Sequence, residues 1–355
     1  MKYDQSIDRI RGFLVLIMVY AHMLQFFGDA GTHPAIAPII DMINVLVFPT
    51  FVFCFGRSAA IAYLQKPFLQ AAPRLVKMTL TLYGVYALSG IGYRVLAKGA
   101  PFSIVTVERV LLLKDIPGWS EFLAAFAAYS FVVLVLHTPL KWLSRRFGLT
   151  LGVMAACLAC CFLPYGAVAS KQLGLFIGTD RFTCFPVVQY APYLLAGIYW
   201  QENRWHGKSL AAIGLAASLA GIVYTLLKGL PGRFPPTLFW VLLPGLFPAA
   251  MSFWTARISS LPKMLLPADG WLRNVGRRSL YYLLTSDLMI FALSGLHAAP
   301  LATKRDNWFW QQPITSPWGA LLWTAVLFGA LWLISYLAGR ASAGQGAEAA
   351  KAAAS

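Results

Sequence analysis

The chain has 355 residues, of which 59% are hydrophobic and 12% charged, with 29 Lys and Arg against 13 Asp and Glu and a formal charge of +16. Soluble domains carry about 25% charged residues, so this composition excludes a large soluble core and points to a polytopic membrane protein. Nucleic-acid binding is excluded too, because the basic residues are scattered between hydrophobic runs and form no basic stripe with interleaved aromatics; the lipid bilayer, its anionic headgroups and an anionic co-substrate are the better partners.

The first hydrophobic run, from Asp8 to Phe27, carries Arg11 and His22 among apolar residues. Eleven helical residues turn through about 1100°, some 20° past three full turns, so the two side chains share one face about 16 Å apart. Val15, Met18 and Gln25 fall near the same line, and Asp8 lies one turn before Arg11. Lipid cannot solvate such a stripe, so it must turn toward protein or water. The N-terminus lacks a small-residue cleavage site and reads as a retained first helix. Ten hydrophobic runs follow the chain, at about 12–28, 36–64, 75–97, 119–137, 148–169, 184–200, 208–228, 237–256, 279–297 and 317–338. Together they predict an all-α polytopic membrane helix bundle of about ten transmembrane helices. Residues 1–340 form its membrane domain, and the Ala- and Gly-rich residues 341–355 read as a disordered tail. With the N-terminus cytoplasmic, nineteen of the 29 Lys and Arg fall on the cytoplasmic side, which favours both termini inside.

The second run contains Asp41, Asn44, Pro49 and Arg57, and a tilt or kink is expected at the proline. Arg74 and Lys77 open the third run after Pro73, and their spacing puts both on one helix face. Residues 99–118 are less apolar and read as a short interfacial helix and loop. Asp41 and Asp287 both fall within spans, where a carboxylate needs a partner; either can orient His22 or pair with an arginine such as Arg57. Glu121 sits at the start of the fourth span and either assists an acceptor or satisfies the helix start. Arg233 precedes two prolines that stiffen a loop. Cys157, Cys160 and Cys161 sit in an apolar helical run and read as buried thiols. His33, His137, His206 and His297 read as interfacial or solvated, and no metal-ligand spacing is visible.

Asp8, Arg11, Gly12 and His22, with ten residues between Arg11 and His22, resemble the opening signature of the acyltransferase-3 membrane family. The pair Arg74 and Lys77 is similar to that family's paired-basic motif, with lysine in place of the second arginine. Trp119-Ser120-Glu121-Phe122 resembles its tryptophan–glutamate segment in compressed form. The segment from Gly276 to Leu283 resembles a late element of the family, although Thr285, Ser286 and Asp287 stand where a histidine often follows. The resemblance implies ten spans and an acyl-CoA-dependent O-acyltransferase, a transferase of groups other than aminoacyl. Such an enzyme moves an acyl group, acetyl first among them, to carbohydrates of surface or exopolysaccharides.

On this reading His22 is the general base and Arg11, Glu121 and Asp41 complete the catalytic set. Arg11, Arg74 and Lys77 bind the donor phosphates. Transfer is either direct or through an acyl group on His22. No cofactor is bound permanently; acyl-CoA, acetyl-CoA foremost, is the co-substrate, and a carbohydrate or lipid-linked glycan is the acceptor. The expected location is a bacterial inner membrane. The alternative reading is a transporter or exporter of an anionic or lipid-linked glycan that uses the same stripe as its pathway.

Overall fold

The computed structural model describes residues 4–203, 207–257, 266–302 and 315–352. Lys2, Arg204, His206, Lys263, Lys304 and Arg305 lie outside them. The described chain is helical, and its only strand-like pairing is a bridge between Gly28 and Thr315. The helices are α1 (Gln5–Phe27), α2 (Ile36–Ala59, continued by a wider turn Ala60–Leu64), α3 (Phe68–Gly92, continued to Ala97), α4 (Ile104–Leu111) and α5 (Glu121–Val135). They continue with α6 (His137–Leu143), α7 (Phe147–Ala159), α8 (Lys171–Ile177), α9 (Val187–Glu202) and α10 (Gly207–Lys228). The last five are α11 (Leu238–Leu242), α12 (Phe247–Arg257), α13 (Leu266–Arg277), α14 (Ser279–Ala302) and α15 (Pro317–Ala352).

Each of the ten expected runs becomes largely helical. Seven helices of the described chain are long and apolar enough to cross a membrane, making this a multi-pass integral membrane protein. An eighth crossing comes from α5 and α6 if that pair, bent by 82°, is one span. The helix Phe147–Phe162 is shorter, and α9 has 16 residues, about 24 Å at 1.5 Å each. Hydropathy marks apolar stretches without telling a membrane crossing from a helix buried against its neighbours. Pro49 does not interrupt α2, which runs unbroken on both sides of it. The last helix runs on through the Ala-rich stretch to Ala352, in keeping with alanine's helix propensity.

Close approach of backbones sets the core. A Cβ on Gly12 would lie 2.1 Å from the Leu272 carbonyl oxygen, and one on Gly276 only 1.8 Å from that of Asp8. Only hydrogen at both positions lets α1 and α13 touch along their backbones, the small-residue packing favoured where lipid supplies no hydrophobic drive. Gly56 and Gly197 do the same for α2 and α9, at 2.2 and 2.1 Å from Leu194 and Phe53 carbonyl oxygens. The α1–α13 contact carries ion pairs at its N-terminal end. Arg9 donates to both Asp269 oxygens at 2.6 and 3.0 Å, and Arg277 donates to Asp8 at 3.1 Å.

Replacing Gly276 with Ala must push α1 and α13 apart, with an expected loss of about 1–3 kcal/mol in stability. Gly270, on the same helix, faces open space, and Gly270→Ala should leave the unfolding midpoint in detergent unchanged or higher. Equal midpoints for Gly276→Ala and the wild type would refute the close-contact role. The Arg9 hydrogen bond also holds Asp269 below its usual 3.8. The stability this adds is present above that value and is lost as pH falls through the lowered one. Between about pH 5 and pH 3 the wild-type midpoint should fall more steeply than that of Asp269→Asn.

Candidate active site

The stripe on α1 meets a different partner at each level. Near the N-terminal end, Arg11 donates to the Ser58 hydroxyl at 2.8 Å, and that hydroxyl donates to the Cys54 carbonyl at 3.0 Å. Three turns on, the His22 ring Nδ1 lies 2.8 Å from Asp287 Oδ1 of α14. A carboxylate only accepts, so Asp287 fixes a proton on Nδ1 and leaves the Nε2 lone pair free to act as a base. The Asp287 side chain is 3% exposed and that of His22 is 13% exposed, so the pair is shielded yet reachable. One turn further, Gln25 accepts from the Trp119 indole at 2.9 Å.

Two cavities follow the stripe. The first, of about 430 Å³, is lined by Arg11, Arg74 and Lys77 together with Tyr63, Phe51, Phe55 and Ser279. It gathers three fixed positive charges above apolar walls. The second, of about 200 Å³, holds His22, Asp287, Gln25 and Trp119, with Asn44, Thr183, Glu121 and Arg233 opposite. Phe122, Leu123 and Leu283 line both. The first cavity therefore suits a polyanion and the second suits a neutral polar group that must give up a proton.

Glu121 opens α5 and is buried, and its Oε2 has no hydrogen-bond partner. Arg233 reaches the same cavity from the loop before α11, its guanidinium stacked at 4.4 Å over Phe234 and 5.2 Å over Phe185. Burial pushes its pKa below the ordinary arginine value, against the opposing pull of Glu121, Tyr190 and Asp41. Glu121 Oε2 and Arg233 Nε are both unbonded, so the pair retains an acceptor and a donor for a polar ligand.

Five sequence-predicted residues thus line two adjoining cavities: Arg11, Arg74 and Lys77 in one, His22 and Glu121 in the other. Asp41 does not join them. It lies outside the lining of either cavity, and its charge is felt at Arg233. The carboxylate beside His22 is Asp287, because α14 rather than the start of α2 packs against that face of α1. Arg57 pairs with neither aspartate; it donates to Asp4 at 2.7 Å and to Ser6, Gln201 and Ser252. Asn44, noted in the second run without a role, and Thr183 complete the His22 cavity, since one polar residue in an apolar run or loop carries no signal of what it faces. His137 is buried against the Tyr63 carbonyl at 3.2 Å instead of solvated. Among the described residues no cluster of three His, Cys, Asp or Glu is placed to hold a metal.

Residues 4–97 match the family model described as heparan-alpha-glucosaminide N-acetyltransferase, catalytic. That is an acetyltransferase family. The match covers α1 to α3 and so contains Arg11, His22, Arg74 and Lys77. No curated protein matches the chain. The matched model is not that of acyltransferase-3, which the motifs resemble; the two share acyl transfer by a membrane protein. The match supports a membrane acetyltransferase-type domain, and hence a transferase.

Proposed function

We propose that the protein is a multi-pass O-acyltransferase of a bacterial inner membrane. It moves an acyl group, acetyl foremost, from cytoplasmic acyl-CoA to a hydroxyl of a carbohydrate or lipid-linked glycan in surface polysaccharide biosynthesis. The observation that carries this reading is the His22–Asp287 contact, in a cavity one layer of side chains from Arg11, Arg74 and Lys77. The acetyltransferase match over the helices that bear four of these five residues adds to it.

The cationic cavity takes the donor phosphates, with Arg11 and Arg74 offering planar guanidinium forks and Lys77 a point charge. The acceptor lies beside His22, its other polar groups held by Glu121 and Arg233. His22 Nε2 takes the hydroxyl proton as the oxygen attacks the thioester carbonyl. The C–S bond then breaks, and the coenzyme A thiolate recovers the proton from the imidazolium. Asp287 stabilises that imidazolium and holds the ring. The name of the matched family model specifies an amino group, and the same base would serve an amine acceptor.

His22→Ala should abolish transfer of label from acetyl-CoA in purified, folded protein. Asp287→Asn should lower kcat by about 10²–10⁴ with little change in donor KM. Arg74→Ala and Lys77→Ala should raise the donor KM instead. Full activity in His22→Ala would remove the base assignment, and flux of glycan across vesicles without thioester cleavage would favour transport. Offering hydroxyl and amine acceptors side by side separates the two kinds of product.

A further inference from the structure

The two cavities adjoin, and what they share is small. Of all the residues lining either space, only Phe122, Leu123 and Leu283 line both. All three are apolar. Leu123 and Leu283 are each 3% exposed. Phe122 is wedged by an aromatic cluster, with ring centroids 4.8 Å from Phe126, 5.4 Å from Phe51 and 5.6 Å from Phe48. A ring braced on three sides has few rotamers open to it, so its edge forms a fixed rim rather than a loose flap.

The wall is also tied to the polar groups beside it. Leu283 lies one helical turn before Asp287 on α14, and Phe122 follows Glu121 directly on α5. The apolar barrier thus stands next to the dyad and next to the free carboxylate. Any acyl group carried from the Arg11 side to His22 has to pass these three side chains and then fit the smaller cavity, of about 200 Å³.

We propose that Phe122, Leu123 and Leu283 form a septum that sets which acyl group reaches His22, admitting short chains on a slender thioester arm and rejecting longer or branched ones. The proposal rests on the acyl-transfer reading above. Discrimination by an apolar constriction is worth about 10–200-fold per methylene, so removing one wall should be visible in the acyl-length profile.

Two measurements test it, one of which needs no catalysis. In the first, kcat/KM is compared for acetyl-, butanoyl- and hexanoyl-CoA. Phe122→Ala and Leu283→Ala should each cut the acetyl-over-hexanoyl preference by about tenfold or more, whereas Phe122→Trp should sharpen it. An unchanged profile in folded, active variants would overturn the assignment.

In the second, Asn44→Cys, which lines the His22 cavity, is placed in a chain whose five cysteines are replaced by alanine. A cationic methanethiosulfonate reagent is added only on the Arg11 side of sealed vesicles. Labelling should be slow with the septum intact and about tenfold faster or more once Phe122→Ala or Leu283→Ala is added. Equal labelling would show that no septum exists. If the wild type turns over no acyl-CoA at all, the acyl-transfer reading falls and the acyl role falls with it. The labelling result would still decide whether the barrier stands.

Discussion

Five polar side chains on the first helix have to be answered inside a bilayer that cannot hydrate them, and the arrangement of the bundle follows from how they are answered. Asp8 and Arg9 are met by Arg277 and Asp269 of α13. Arg11 is met by Ser58 of α2, His22 by Asp287 of α14, and Gln25 by the Trp119 indole ahead of α5. Two of these partners share α13 and the others come from α2, α14 and the segment ahead of α5, so satisfying one helix gathers three others and a connecting segment to its sides. The glycines at 12 and 276 complete this by letting α13 come close enough for its charges to reach.

The two ends of the stripe are treated differently. At the N-terminal end the charges are matched in pairs, and their role is to hold α13 and α1 together. Arg11 donates to a hydroxyl rather than to a carboxylate, and its charge lines the cavity it shares with Arg74 and Lys77. At the deeper end His22 has a single carboxylate contact and one ring nitrogen left over. The free oxygen of Glu121 and free Nε of Arg233 lie across the same space. Unmet polar capacity is costly in such surroundings, and two such atoms in the cavity that holds the His22–Asp287 pair make it the candidate for chemistry.

What could be read from the residues was whatever one helix decides by itself. The face shared by Arg11 and His22 follows from an eleven-residue spacing, and the pairing of Arg74 with Lys77 from three. Which helix packs against that face is not encoded locally. Asp287 lies 265 residues from His22, and nothing in its own run distinguishes it from Asp41 as the partner. The compression of Trp119 against Glu121 was visible as a motif. Its consequence was not: Trp119 takes a positive φ of 65° and turns its indole to Gln25 while Glu121 starts the helix. The packing of α9 was equally out of reach of local reading: its 16 residues are largely buried against α2 and its neighbours.

The thinness of the wall at Phe122, Leu123 and Leu283 has a further consequence for the cell that holds this protein. Two partly polar cavities along one helix would give ions a continuous path if they met. Three hydrocarbon side chains offer a hydrated ion nothing to replace its water, and a constriction of that kind stays dry. Such a wall lets polar space lie on both sides of it along the first helix without joining the two into an ion path.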